Sequence, residues 1–120
     1  MGQEIKTHAL GKLRIYLKTG DKVKSKSLLR KLFPTSVYRN IVEMAKADGI
    51  MNASVFNTHM GYSNYDKIVQ YSYETENGGL TVCIELIDTK ERLQEFFIKH
   101  KENLKDKVVV YREVEYWGVE

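Results

Sequence analysis

The sequence predicts an α+β chain of the ferredoxin-like, split βαβ kind: a four-stranded antiparallel sheet with two helices on one face. Three observations carry this reading. Segments in which apolar residues alternate with others recur along the chain, as strands do. Two stretches with helical apolar spacing stand between the first and second, and between the third and fourth, of these segments. The order is therefore βαββαβ, and right-handed crossovers put both helices on the same side of the sheet.

The elements follow in order. Lys12–Lys18 (KLRIYLK) sets Leu13, Ile15 and Leu17 on one face and Lys12, Arg14, Tyr16 and Lys18 on the other, the pattern of a half-buried strand. Thr19 to Ser27 is a Gly- and Lys-rich connection, and Leu28–Phe33 reads as a helical turn stopped by Pro34. Thr35 or Ser36 can cap a helix over Val37–Asp48, in which Val37, Ile41, Met44 and Ala45 share a face. Gly49 supplies its left-handed stop. The second strand spans Asn52–His59.

A polar, tyrosine-rich connection then runs from Gly61 to Gly79 (GYSNYDKIVQYSYETENGG). Most connections in compact domains are under about 12 residues, and longer ones are binding arms, lids or mobile segments. Inside it, Lys67–Tyr73 can pair as a strand extension, and Gly78-Gly79 marks a turn. The third strand is Leu80–Ile87. Asp88 and Thr89 can cap the second helix, with Asp88 and Glu91 at capping-box spacing. That helix runs to about Asn103 and stripes Leu93, Phe96, Phe97 and Leu104. The last strand is Val108–Tyr116, with Val108, Val110, Val114 and Tyr116 on one face and Trp117-Gly118 as its end.

The uncovered sheet face is expected to carry Arg14, Tyr16, Phe56, Cys83, Glu85, Ile87 and Tyr111. A sheet wetted on one side shows a polar second face. This mixed one is expected to pack against further copies in a closed cyclic oligomer.

At 120 residues the chain is a single domain, read as an N-terminal arm over 1–10 and a domain over 11–120. The lone Cys83 allows no internal disulfide and reads as a buried, inert thiol. No run is apolar enough to span a membrane and the start has no leader shape, so a cytoplasmic location is the default expectation. The net charge of +3 divides unevenly, +7 through Pro34 and −4 beyond it. The basic run over residues 18–31 suits nucleic acid, anionic lipid or nucleotide phosphate, or is a solvated arm. No aromatic residues interleave with those lysines, so nucleic acid is not an expected partner.

Enzyme signatures are scarce: no HExxH, GxSxG, CxxC or P-loop is present, and no catalytic residue is assigned. The candidate sites are for ligands. His59, at the end of a strand and the entrance of the loop, is a strand-end hydrogen-bonding residue, a ligand contact or a metal ligand. Gly61 and Ser63 flank Tyr62 and can bring free backbone N–H groups close to an anion, although a glycine there also serves a simple turn. Tyr62, Tyr65, Tyr71 and Tyr73 can stack on a nucleobase, anchor a protein or pack the loop on itself. Lys105 and Lys107, in the connection NLKDK before the last strand, can neutralise phosphate or complement the helix dipole.

Residues Gly11 to Tyr116 resemble the PII-like proteins, and among them the family called domain of unknown function 190. The resemblance rests on KLRIYL (Lys12 to Leu17), the helix end AKADG (Ala45 to Gly49), ASVFNTHMGYS (Ala53 to Ser63) and VCIELIDTKERLQEFF (Val82 to Phe97). It implies a ferredoxin-like homotrimer that binds a small effector, with an adenine nucleotide as the candidate, in clefts between subunits. It also implies that the loop is the arm that engages a membrane transporter or an enzyme, and that the ligand orders it. By position, Gly61, Tyr62 and Ser63 stand at the phosphate-holding turn at the loop's base, and Lys107 near the lysine that closes the connection before the last strand. The alternative is a metal-responsive or structural trimer like the CutA proteins, with His59 and Cys83 as candidate ligands. A third reading is a small enzyme working at a subunit interface.

Overall fold

The computed structural model describes residues 4–21, 36–72 and 79–119. Its elements are β1 (Ile5–Lys18), α1 (Val37–Ala47), β2 (Asn52–Asn57), β3 (Met60–Gly61), β4 (Val69–Gln70), β5 (Thr81–Asp88), α2 (Lys90–Lys99), α3 (Lys101–Leu104) and β6 (Val108–Val119). β2, β5, β1 and β6 form a four-stranded sheet in that spatial order, and every pairing is antiparallel. β3 and β4 make a separate two-stranded ribbon. The ferredoxin-like arrangement read from the sequence is therefore the fold.

The core lies between the sheet and the helices. Leu13, Ile15 and Leu17 of β1 and Val82, Ile84 and Leu86 of β5 face Val37, Ile41 and Ala45 of α1, Leu93 and Phe96 of α2, and Leu104. Gly49 ends α1 at φ +75°, a left-handed conformation that glycine adopts without strain. The helix ends are tied to each other. Arg92 donates to the carbonyls of Asp48 and Gly49 (3.0 and 2.9 Å). Lys99 Nζ lies 2.7 Å from one Asp48 oxygen and His100 Nε2 2.8 Å from the other.

Several expectations change. Residues 5–10, read as an arm, continue β1 and pair with Val114–Val119, so a two-stranded ribbon extends the sheet. That partner strand carries β6 through Trp117-Gly118 to Val119, past the expected end. The core-facing residues of β6 are Val109 and Tyr111, opposite Ile15 and Leu13, and not Val108 and Val110. Tyr111 therefore belongs to the helix side and not to the uncovered face. Its ring lies over Gly11, where an added Cβ would sit 2.3 Å from Tyr111 Cε2, so only glycine leaves room.

The second helix breaks at His100, which turns to φ −107° and packs against the Phe96 ring (4.5 Å between centroids). Phe97 is partly exposed and stands outside the core cluster. Thr89 caps α2, accepting from the Arg92 N–H at 3.3 Å; Asp88 instead accepts from the Met51 and Thr89 N–H groups and pairs with Arg92. Ser36 caps α1 without a side-chain bond. The second strand stops at Asn57, and over the described part of Lys67–Tyr73, which excludes Tyr73, the pairing is Val69–Gln70 against Met60–Gly61. The Leu28–Phe33 turn, Pro34, Thr35 and Gly78 lie outside the described residues.

The uncovered face is mixed, as expected. Glu85 is only 7% exposed there, held by Arg14 Nε (3.0 Å) and Lys12 Nζ (3.7 Å). Cys83 beside it is buried, and burial pushes its thiol pKa up. Phe56 and Val110 of the same face stay exposed.

The Asp48 latch gives a pH prediction. Hydrogen bonds from Lys99 and then His100 hold the Asp48 carboxyl below its ordinary range. A depressed carboxylate stabilises the fold above its unfolded pKa, about 4, and that contribution is lost as pH falls through the lower folded value. Asp48→Asn should lower stability by about 1–2 kcal/mol at pH near 7 and converge on the parent in acid. Thermal melts of both proteins across that range check it; a gap that does not narrow would assign the loss to geometry and not to charge.

Candidate functional site

Three segments meet at one end of the sheet. The end of β1 brings Tyr16, Lys18 and, just beyond, Asp21. The start of the loop brings Tyr62, Ser63, Asn64, Asp66 and Lys67, and the connection before β6 brings Asp106 and Lys107. Together with Gly79 and Thr81 they line a crevice of about 280 Å³. The sheet dictates the meeting. β1 and β5 are neighbours in register, Lys18 facing Thr81, so the loop that enters β5 returns beside the end of β1. The Thr19 N–H and hydroxyl both donate to the Leu80 carbonyl (2.9 and 2.8 Å) and close that corner.

The crevice is lined by three lysines, Lys18, Lys67 and Lys107, and three aspartates, Asp21, Asp66 and Asp106. Lys18 pairs with Asp66, which holds the lysine above and the aspartate below their usual pKa values, chiefly through their mutual hydrogen bond. Lys107 Nζ lies 3.4 Å from Asp21 and 3.3 Å from Asp106. The site is thus formally neutral. An anion that engages Lys18 or Lys107 must take the lysine from an aspartate, or enter together with a cation that satisfies the released carboxylates.

The loop turns back at Ser63–Asp66, where the Asp66 N–H donates to the Ser63 carbonyl at 3.2 Å. Asn64 and Tyr65 both have positive φ, +54° and +62°, the mark of a type I′ turn. Asparagine suits that conformation; tyrosine does not. Three contacts hold it: the Lys18–Asp66 pair, the Lys67 N–H donating to Asp66 Oδ1 (2.8 Å), and Asn64 Nδ2 donating to the Asp106 carbonyl (3.4 Å). The outcome is a Tyr65 side chain that is 100% exposed, between Asn64 and Asp66 of the crevice lining.

Of the residues read from the sequence, Tyr62, Ser63 and Lys107 line the crevice. Gly61 ends β3 just before them at φ +156°, with open space where a Cβ would stand, so its role is conformational. His59 lies outside the lining: it stacks on Tyr71 (5.6 Å between centroids) and its carbonyl accepts from the Tyr71 N–H at 2.7 Å. Lys105 also lies outside, paired with Glu102 at 3.0 Å. Among the described residues no group of three or more His, Cys, Asp or Glu is placed to hold a metal ion, and none joins His59 and Cys83. No helix of the described residues is long and apolar enough to cross a membrane. The sequence reading missed Lys18, Asp21, Asp66 and Asp106 as site residues. Lys18 carried a signal, as the first member of the basic run.

Comparison with known proteins shows the family and the fold. Residues 10–116 match the family DUF190, described as "Uncharacterized ACR". A UPF0166 protein of Aquifex aeolicus (strain VF5) is 32% identical over 80 residues, which span 62% of this chain and 76% of that one. Among solved structures, CPII from Thiomonas intermedia K12, a nitrogen regulatory PII-like protein bound to ADP, AMP and bicarbonate, superposes with a TM-score of 0.62 at 12% identity, covering 92% of this chain and 91% of that one. Its apo form gives 0.58 at 13% identity, covering 96% and 99%.

The turn yields a stability prediction. A left-handed tyrosine is strained by about 1–2 kcal/mol relative to glycine at the same position. Tyr65→Gly should therefore raise the melting temperature, unless the strain is balanced by packing that a 100% exposed ring does not make. A lowered melting temperature would show that the ring is held in the native protein.

Proposed function

The chain belongs to the DUF190 family and has the PII-like fold, and from that premise we propose that it is a regulatory protein. In this reading it works as a homotrimer and binds an adenine nucleotide in the crevice at the base of the 61–79 loop. It acts on a membrane transporter or an enzyme through that loop. The observation that carries the reading is the crevice itself, which joins the loop's start to Lys107 and holds Tyr62 and Ser63 between them. Nucleotide binding by CPII, a protein of the same fold, supports the choice of ligand.

Size and charge refine the proposal. Pockets that bury a drug-sized ligand run from about 300 to 1,000 Å³. At about 280 Å³ one chain holds the phosphate end of a nucleotide, and a second chain completes the site. The mixed uncovered face of the sheet, with Phe56 and Val110 exposed, is the surface that assembly would cover. Phosphate oxygens would compete with Asp66 for Lys18 and with Asp21 for Lys107. Ligand entry then re-partners the lysine that ties the 63–66 turn to β1, and loop geometry follows occupancy.

Thermal melts with ADP, AMP and ATP, each with and without magnesium, test the site. A ligand at 100 times its Kd stabilises by about 2.7 kcal/mol. Lys107→Gln should abolish the shift, whereas Lys105→Gln, outside the crevice, should leave it intact. Equal loss in both variants, or no shift with any nucleotide, would remove the proposal.

A further inference from the structure

Two apolar surfaces on the helix side of β6 have no cover among the described residues. The first is a groove. α2 sits over the middle of the sheet and leaves the inner face of the edge strand open. Leu93, Phe97 and Ile98 of α2, with Val109 and Tyr111 of β6, line a cavity of about 530 Å³. Lys90 stands at its rim, 5.7 Å from the centre of the Tyr111 ring. The second is the tip of the ribbon. Ile5 pairs with Val119 and Thr7 with Trp117, so Ile5, Trp117 and Val119 share one face, and they are 56%, 63% and 68% exposed. One surface is concave and the other convex.

We infer that the ribbon tip of one copy, led by Trp117, docks in the α2–β6 groove of a second copy. Charge favours the match. Trp117 donates from Nε1 to Glu115 at 3.1 Å, so the tip brings a carboxylate with its indole, and the groove offers Lys90. Within one chain the two surfaces cannot meet, because Trp117 lies six residues along a rigid strand from Tyr111, about 20 Å.

The contact runs one way. Tip and groove are separated on the strand face by Glu113 and Glu115. A two-fold pair that seated both tips at once would set these acids against their own counterparts, which repel. A ring in which each tip fills the next groove avoids this. It closes at three chains in the assembly proposed above, and the ring, though not the contact, rests on that reading.

The protein has a single tryptophan, which makes the test direct. In the full-length parent, Trp117 emission should be blue-shifted and shielded from acrylamide. Ile98→Glu, on the exposed groove rim, should shift the emission to the red and restore quenching without lowering the helix signal. Mixing Ile98→Glu with Trp117→Ala, which keeps an intact groove, should bury Trp117 again, and light scattering gives the number of chains. A three-chain assembly with Trp117 fully quenchable would overturn the contact and leave the trimer standing. A buried Trp117 in the mixture without three-chain assembly would do the reverse. Emission indifferent to Ile98→Glu would overturn the inference.

Discussion

The register of β1 is the constraint on which the rest depends. β1 lies inside the sheet, paired with β5 over Gly11 to Lys18 and with β6 over Ile5 to Tyr16. Its odd residues Leu13, Ile15 and Leu17 therefore face the helices, and its even residues face away. A slip of one residue against either neighbour would exchange the two faces and put Arg14 into the core. The same register sends Lys18 to the crevice and brings Gly11 under Tyr111. It also makes Ile5 to Leu10 the partner of the far end of β6. Core, crevice and ribbon are consequences of a single alignment.

The crevice is built on a different principle. Apolar burial fixes the sheet, at roughly 25 cal/mol per Å², but the crevice is held by ion pairs that keep contact with water, part-buried at Lys107 and more exposed at Lys18. Neutral pairing suits the regulatory role proposed for the crevice. With Lys18 held by Asp66, and Lys107 by Asp21 and Asp106, an anion gains at these two lysines only where its charge and geometry outdo the aspartates.

The strands and helices were legible because their residues alternate unambiguously. KLRIYLK has one possible phase, and Val37, Ile41 and Ala45 mark one helix face. The last strand was not, since Val108, Val109, Val110 and Tyr111 are all apolar and either phase satisfies the pattern; only the packing of Val109 and Tyr111 on the core decides. The ribbon was hidden for a related reason. Residues 5–10 are mostly exposed, so no buried face wrote an alternation into them, and their partner lies more than a hundred residues away in sequence. In the crevice, Tyr62, Ser63 and Lys107 could be read from loop position and from resemblance. The aspartates could not, because a carboxylate that neutralises a lysine across the fold looks, in sequence, like any surface acid. His59 and Lys105 are close to the site along the chain, but they stand beside Tyr71 and Glu102 and do not line the crevice.

These levels of stability divide the labour of the molecule. The sheet and helices meet through residues with almost no exposed surface, among them Ile15, Ile41, Ile84 and Phe96, so disturbing them means unfolding. The 63–66 turn rests on contacts that water already competes for, and it carries a tyrosine in a conformation tyrosine disfavours. A ligand can therefore change the turn while the frame stays fixed, because the differential binding needed to shift a local equilibrium is a few kcal/mol, and one or two charged hydrogen bonds supply about 1.5–3 kcal/mol each. The frame contributes fixed anchor points, Lys18 at the end of β1 and Lys107 ahead of β6, and in the proposed reading the 63–66 turn is the part that responds between them.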